Sequence, residues 1–220
     1  MQRALIIGAS GGIGAALASE LSARGVDVVG LSRSVDGLDV TDQASVQAVM
    51  GQLEGHFDLI IMASGILAPS GESPEKSLRS IKQASLEEVM AVNAIGPSVV
   101  LAEIPRLLPR DRRSVVAVLT ARVGSIGDNQ LGGWYAYRAS KAAANQITHT
   151  AAIEIGRRFD QAVVVALHPG TVDTSFTQNY PGRDKASPAE AAQNLLGVLD
   201  SLSPDQSGQF FDWAGKRVPW

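Results

Sequence analysis

Short runs of aliphatic and β-branched residues alternate along this chain with longer segments in which apolar residues recur at helical spacing. This alternation is typical of a parallel sheet that helices cover on both faces. The pattern therefore predicts an α/β fold built on a doubly wound parallel sheet. Strands are expected near residues 3–7, 26–31, 57–62, 114–120, 162–167 and 209–212, and helices near 12–24, 42–53, 86–108, 134–158 and 188–202.

Two of these helices carry a start signal in the sequence. Ser85 with Glu88 three residues later matches the capping-box pattern. Ser187 and Glu190 repeat it, with Pro188 at the first helical position, where a proline is favoured. Prolines 97 and 105 fall inside the helix predicted at 86–108, and a kink or a break is expected there because proline removes a backbone hydrogen bond.

The connection after the second predicted strand is unusually short. Six residues, 32–37, separate that strand from residues 38–40, whereas a parallel crossover needs about a dozen residues or more. Two interpretations stay open at this stage. Either the crossover helix is lost and 38–40 is a short strand, or 38–40 is a loop.

Composition narrows the classes of partner and site. The chain has 19 basic and 22 acidic residues, net charge −3 and no charged block, so nucleic-acid or membrane-surface binding has no electrostatic support. No uninterrupted apolar run approaches 18 residues, and the first strand begins almost at Met1, so we expect a cytoplasmic protein. Without cysteine, and with three scattered histidines, no metal site is expected. The length favours one domain spanning residues 1–220.

A glycine-rich turn joins the first predicted strand to the first helix. Such a turn lets backbone N–H groups and the helix dipole approach a pyrophosphate, as in Rossmann-type folds. Its spacing, Gly-x-x-x-Gly-x-Gly, differs from the general dinucleotide fingerprint, so a plain strand-to-helix turn remains the alternative. The candidate cofactor-binding residues in this turn are Gly8, Ser10, Gly12, Ile13 and Gly14.

The end of the second predicted strand bears on the choice of cofactor. A carboxylate at that point would bind ribose hydroxyls, whereas an arginine accommodates a 2′-phosphate. This chain places Arg33 between Ser32 and Ser34, which favours NADP(H) over NAD(H). A solvated loop charge is the alternative for Arg33, and Asp36 is the rival ribose ligand.

The segment from Tyr137 to Lys141 carries the candidate chemistry. Positions four residues apart share one face of a helix, so the phenol and the ammonium can reach the same small volume. An ammonium about 4 Å away contributes roughly 4 kcal/mol at an effective dielectric of 20, which corresponds to about three units of phenol pKa. Desolvation opposes that shift. Tyr135 has no lysine four positions later and is interpreted as a packing residue.

With both motifs in this order, the chain resembles the short-chain dehydrogenase/reductase family from its first strand to its C-terminus. Within that family, residues 133–141 and 168–171 look most like the C-factor and sniffer-type carbonyl reductases. The resemblance implies that Tyr137 exchanges a proton with the substrate, that Lys141 lowers the phenol pKa and binds the nicotinamide ribose, and that Asn93 holds a water linked to Lys141. The further cofactor contacts that it implies are Asp39, Val40, Ala63, Gly65, Pro169, Gly170, Val172 and Thr174.

Two departures from the family pattern are visible. Members usually carry a serine after the fifth strand that donates to the substrate oxygen, and Ala121 occupies that position here. Ser125 is the first candidate to replace it, Thr120 is the second, and a site without either donor is the third possibility. In the turn at 62–65, where members often have two asparagines, this chain has none.

Two functions follow from this pattern. The first is an NADP(H)-dependent oxidoreductase for a small-molecule carbonyl or secondary alcohol, which the resemblance implies is a homodimer or homotetramer. The second is a catalytically weak nucleotide-binding regulatory or signalling protein, which Ala121 favours. The segment 174–187 is expected to be flexible and to cover the pocket.

Overall fold

The computed structural model describes residues 1–178 and 184–220. The strands are β1 (Arg3–Ile7), β2 (Asp27–Leu31), β3 (Leu59–Met62), β4 (Ser114–Leu119), β5 (Ala162–His168) and β6 (Phe210–Asp212). They form one sheet in the order β2-β1-β3-β4-β5-β6, and every pairing is parallel. The predicted fold class is therefore confirmed. The strand order reverses between β1 and β3, and ligands of doubly wound sheets bind outside the carboxyl ends of the strands at such a point.

Helices cover both faces of this sheet. They are α1 (Gly12–Ala23), α2 (Arg33–Asp36), α3 (Gln43–Gly51), α4 (Gln83–Met90), α5 (Gly96–Glu103), α6 (Tyr135–Gly156) and α7 (Pro188–Ser201). Side chains of α1 and α7 pack on one face, and those of α3, α5 and α6 pack on the other. Successive strand residues alternate between the faces. Ala117 therefore packs on the face covered by α1 and α7, while Val116 and Val118 pack on the face covered by α3, α5 and α6.

The short connection after β2 contains one turn of helix, α2, and residues 38–40 belong to no strand. The loop interpretation is therefore correct. Leu38 and Val40 are nevertheless buried, which anchors the loop against the core formed by α3 and α5. Because so few residues cannot cross over the sheet and return parallel to it, β2 remains the edge strand.

The helix predicted at 86–108 starts earlier than expected and is interrupted. The N-cap of α4 is Lys82, and Ser85 lies inside the helix, where its Oγ donates to Glu72 Oε2 at 2.9 Å. The predicted Ser85–Glu88 capping box is therefore wrong, because this serine has a tertiary partner instead. A π-helical turn, Ala91–Ile95, precedes α5. Pro97 has no N–H to donate back along the helix, so the expected interruption is found.

One helical stretch of the described residues, Gln83–Glu103, is long and apolar enough to cross a membrane by length and composition, with a mean hydropathy of 1.2. It is not an uninterrupted apolar run, because it contains Glu87 and Glu88. In addition, 44% of its window is buried inside the fold, and it packs against α6. We interpret it as a helix of the protein core, which passes the same test.

The start of α7 agrees with its sequence signal. Ser187 Oγ accepts from the Glu190 N–H at 3.2 Å, and the Glu190 carboxylate accepts from the Ser187 N–H at 2.9 Å. Of the segment expected to cover the pocket, residues 179–183 lie outside the described residues. At its ends, Val172 pairs with Ala186, and Lys185 Nζ donates to the Thr177 carbonyl at 2.8 Å.

Candidate active site

A cavity of about 620 Å³ lies at the carboxyl ends of the strands. Its walls come from the glycine-rich turn, the turn after β3, the loop after β4, the first turns of α6 and the loop after β5. Ten of the residues predicted from the sequence line it: Gly12, Ile13, Ala63, Gly65, Tyr137, Lys141, Pro169, Gly170, Val172 and Thr174. The predicted residues outside its lining are Gly8, Ser10, Gly14, Arg33, Asp39, Val40, Asn93 and Ser125.

The glycine-rich turn is shaped by backbone contacts that exclude side chains. Gly8 has φ +86°, and a Cβ there would lie 2.8 Å from the Ser64 nitrogen. A Cβ on Gly14 would lie 2.2 Å from the Gly8 carbonyl oxygen. Gly12 faces the loop after β5, where its Cβ would meet Thr174 Cγ2 at 2.5 Å. The residues present therefore fit a dinucleotide, because the start of α1 offers bare backbone to the cavity.

Tyr137 and Lys141 lie on the same buried face of α6. Lys141 Nζ is 5.7 Å from the centre of the Tyr137 ring and donates to the Leu119 carbonyl at 3.0 Å. Burial raises the pKa of Tyr137 above its ordinary value and lowers the pKa of Lys141 to about 8. The expected lowering of the phenol pKa by the ammonium is therefore not found in the protein alone, because desolvation of the phenol outweighs it.

Asn93 lies in the π-helical turn and is fully buried. Its Oδ1 accepts from the Ile66 N–H at 2.8 Å, and its Nδ2 donates to the Ile66 carbonyl at 2.8 Å. Nδ2 also donates to Ser140 Oγ at 3.0 Å, and Ser140 Oγ in turn donates to the Tyr137 carbonyl at 2.9 Å. The Asn93 side chain thus joins the turn after β3 to the helix that carries Tyr137.

The loop after β4 places Ala121 and the two candidates for the substrate-oxygen donor, Ser125 and Thr120, in different environments. Ala121 lines the cavity and offers no hydroxyl. Ser125 is buried away from the cavity lining, and its Oγ accepts from the Asp128 N–H at 3.1 Å. Thr120 lines the cavity, and its Oγ1 is buried without a hydrogen-bond partner among the described residues.

The cavity also contains side chains to which the sequence analysis assigned no individual role. The Phe176 ring lies 5.9 Å from the Tyr137 ring between centres, and the Trp134 ring lies 6.1 Å from it. Burial lowers the pKa of His168 to about 4, although its side chain as a whole is only half-buried. Arg122 and Asp128 form an ion pair at 2.6 Å on the cavity wall. Loop length and tertiary folding place these side chains, and no spacing in the sequence marks them.

The end of β2 offers a second group of polar side chains. Asp36 Oδ2 accepts from the Ser32 N–H at 2.7 Å and from Ser32 Oγ at 3.2 Å, so this carboxylate is engaged locally. Arg33 begins α2, and its side chain is exposed. Hydrogen bonds donated by Thr41 lower the pKa of Asp39. Arg33 is therefore better placed than Asp36 to meet a ligand at this edge.

Comparison with known proteins finds relatives in sequence and in fold. The chain is 31% identical to 1-hydroxy-2-glutathionyl-2-methyl-3-butene dehydrogenase of Rhodococcus sp. (strain AD45), with all of both chains aligned. It is 38% identical to the C-signal protein of Myxococcus xanthus over 66% of this chain and 84% of that protein.

Solved structures agree over the whole chain. A short-chain dehydrogenase/reductase from Burkholderia multivorans with bound NADP has a TM-score of 0.85 at 27% identity, covering 100% of this chain and 99% of that one. The NADPH-bound carbonyl reductase from chicken fatty liver also has a TM-score of 0.85, at 24% identity, covering 100% and 94%. The short chain dehydrogenase family model matches residues 2–184. Motifs, fold and comparisons agree: this chain belongs to the short-chain dehydrogenase/reductase family.

Proposed function

We propose that the protein is an NADP(H)-dependent oxidoreductase that reduces a small-molecule carbonyl or oxidises the corresponding secondary alcohol. The observation that carries the proposal is that Tyr137 and Lys141 line the same cavity as Gly12 and Ile13. A proton donor and a nucleotide-binding turn thus face one volume. The relative of 27% identity with bound NADP supports the choice of cofactor.

The proposed mechanism assigns a separate task to each side chain. NADPH, when bound, supplies the hydride that reduces the carbonyl carbon. Tyr137 gives its phenolic proton to the carbonyl oxygen, and the raised pKa keeps that proton in place at neutral pH. Lys141, held by the Leu119 carbonyl, is the cation beside the phenol. Asn93 positions α6 through Ser140, while its assigned water remains a prediction.

Substitution of Arg33 tests the preference for NADP(H) over NAD(H). Arg33→Ala is expected to weaken NADPH binding by about tenfold to a hundredfold, because a charge-assisted hydrogen bond to a phosphate is worth about 1.5–3 kcal/mol. NADH binding should change little, since NADH has no 2′-phosphate. Cofactor titration by fluorescence measures both affinities. Arg157→Ala, a matched change at an exposed arginine at the end of α6, should alter neither affinity. Equal losses for NADPH and NADH in Arg33→Ala would contradict the phosphate contact.

For the missing serine hydroxyl, we propose Thr120 as the replacement in preference to Ser125. Thr120 belongs to the cavity lining, and its buried hydroxyl has no hydrogen-bond partner among the described residues, whereas Ser125 uses its oxygen within its own loop. Thr120→Val, which keeps the shape, is expected to lower kcat by on the order of a hundredfold, the effect of losing one oxyanion donor. Steady-state kinetics with a saturating carbonyl substrate measures this. Ser125→Ala serves as the comparison and should mainly lower stability; the opposite ranking of the two kcat values would restore Ser125 as the donor.

A second function, a cofactor-binding regulatory or signalling protein of low turnover, is favoured by Ala121 alone. The absorbance of NADPH at 340 nm separates the two functions when aldehydes, ketones and quinones are tested as a panel. Consumption of NADPH with any of them supports the enzyme. Tight NADPH binding with no consumption across the panel supports the second function.

Other expectations stay predictions. These are a cytoplasmic location, a homodimer or homotetramer, one domain over the whole chain, and the lack of nucleic-acid, membrane or metal partners.

A further inference from the structure

The helix that carries Tyr137 and Lys141 begins without a cap of its own. The N-cap residue of α6 is Trp134, which has φ +54° and makes no side-chain capping hydrogen bond. The first N–H groups of a helix have no partner within the helix, and a side-chain acceptor at the N-cap ordinarily satisfies one of them. These N–H groups need an acceptor within the protein here, because Ala136 and Tyr137, in the first turn, are buried.

Glu75 provides these acceptors from a distant segment of the chain. Its Oε2 accepts from the Ala136 N–H at 3.2 Å, and its backbone carbonyl accepts from the Trp134 N–H at 2.5 Å. Both contacts connect the loop between β3 and α4 to the start of α6. The two bonds fix the backbone immediately before Tyr137.

The burial of Glu75 indicates that this contact is specific. Glu75 is only 7% exposed, and within the described ranges 1–178 and 184–220 it forms no ion pair. Burying a carboxylate is costly unless hydrogen bonds or an opposite charge compensate it. The positive end of the α6 dipole and the Ala136 N–H supply that compensation. In contrast, Glu72 in the same loop pairs with Lys82 at 2.8 Å near the surface.

We propose that Glu75 is a positioning residue for catalysis, a role that rests on the proposed function of Tyr137. Its hydrogen bonds set the first turn of α6 and therefore the direction of the phenol. Glu75 touches neither substrate nor cofactor in this role; it acts through the helix.

Two substitutions differ in whether an acceptor for the Ala136 N–H is kept. Glu75→Gln keeps this acceptor, so kcat should stay near the wild-type value. Glu75→Ala removes it and should lower kcat on the order of ten- to a hundredfold, as expected for a misplaced catalytic group. The KM for NADPH should stay nearly constant in both variants.

Asp42→Ala is the matched control. Asp42 caps α3 by accepting from the Ala44 N–H at 2.9 Å, the same position in the helix at which Glu75 accepts in α6. The melting temperature of every variant is measured first, and kcat is then measured at a temperature at which each variant is folded. Asp42→Ala should lower the melting temperature and leave kcat at saturating NADPH unchanged. If Glu75→Ala behaves in the same way, Glu75 is only structural and the proposal is overturned.

Turnover by the wild-type protein is established before any variant is compared. Its absence would count against the proposed function itself. Hydrogen exchange at the Ala136 amide then tests the Glu75 contact without turnover. Faster exchange in Glu75→Ala but not in Glu75→Gln supports the contact, and equal exchange in wild type and Glu75→Ala overturns it.

Discussion

Replacing Tyr137 with phenylalanine is expected to lower kcat by about a thousandfold, which lies within the range for loss of a general acid or base. The variant keeps the ring that packs against Phe176 and loses only the hydroxyl. NADPH affinity should therefore change little. Absorbance at 340 nm measures the rate, and NADPH fluorescence measures the affinity. Turnover at the wild-type rate would remove Tyr137 from the mechanism.

Tyr135→Phe is the matched control for this experiment. Tyr135 lies two residues earlier on the same helix, and it is not among the residues that line the cavity. Loss of its hydroxyl should leave kcat near the wild-type value. A comparable loss in both variants would point to a disturbed α6 rather than to a missing proton donor.

Gly14→Ala is expected to lower the free energy of unfolding by about 3 kcal/mol, at the upper end for overpacking. The added methyl would lie 2.2 Å from the Gly8 carbonyl oxygen, and a backbone atom cannot swing aside as a flexible side chain can. The same displacement should disturb the N-terminus of α1 and weaken NADPH binding. Urea denaturation and cofactor titration measure the two effects.

Gly197→Ala tests whether the loss is specific to the turn. Gly197 lies in α7, and a Cβ there would have no atom within 4 Å. Because alanine is a better helix former than glycine, this variant should gain about 0.8–1 kcal/mol. Similar losses in both variants would show that glycine is not required at position 14 for steric reasons.

The sequence was sufficient to predict the sheet because buried parallel strands are continuous apolar runs, as in the strands that contain Ile60 and Val116. It was also sufficient to predict that Tyr137 and Lys141 lie together, because helical spacing places residues four positions apart on one face. Both inferences depend on local periodicity. The shared cavity then follows from the parallel topology, because the carboxyl ends of the strands lie at one edge of the sheet.

The remaining features depend on contacts between segments that are distant in the chain. Ser85 has the spacing of a helix cap, but its hydroxyl bonds to Glu72. Ser125 is near Tyr137 in sequence, but the loop turns its oxygen toward the Asp128 N–H. The phenol pKa depends on burial, which two residues four apart do not reveal. In each case the tertiary environment of the side chain cannot be read from the local sequence.

The π-helical turn Ala91–Ile95 has a consequence for how this site tolerates changes in chain length. A π-helical turn holds one residue more than the α-helical turn that it replaces. Deleting a single residue there would rotate the preceding helical residues by about 100° relative to α5, given 3.6 residues per turn. The Asn93 side chain would then lose its hydrogen bonds to the Ile66 N–H and the Ile66 carbonyl. The number of residues in this turn, as well as their identity, therefore preserves this anchor.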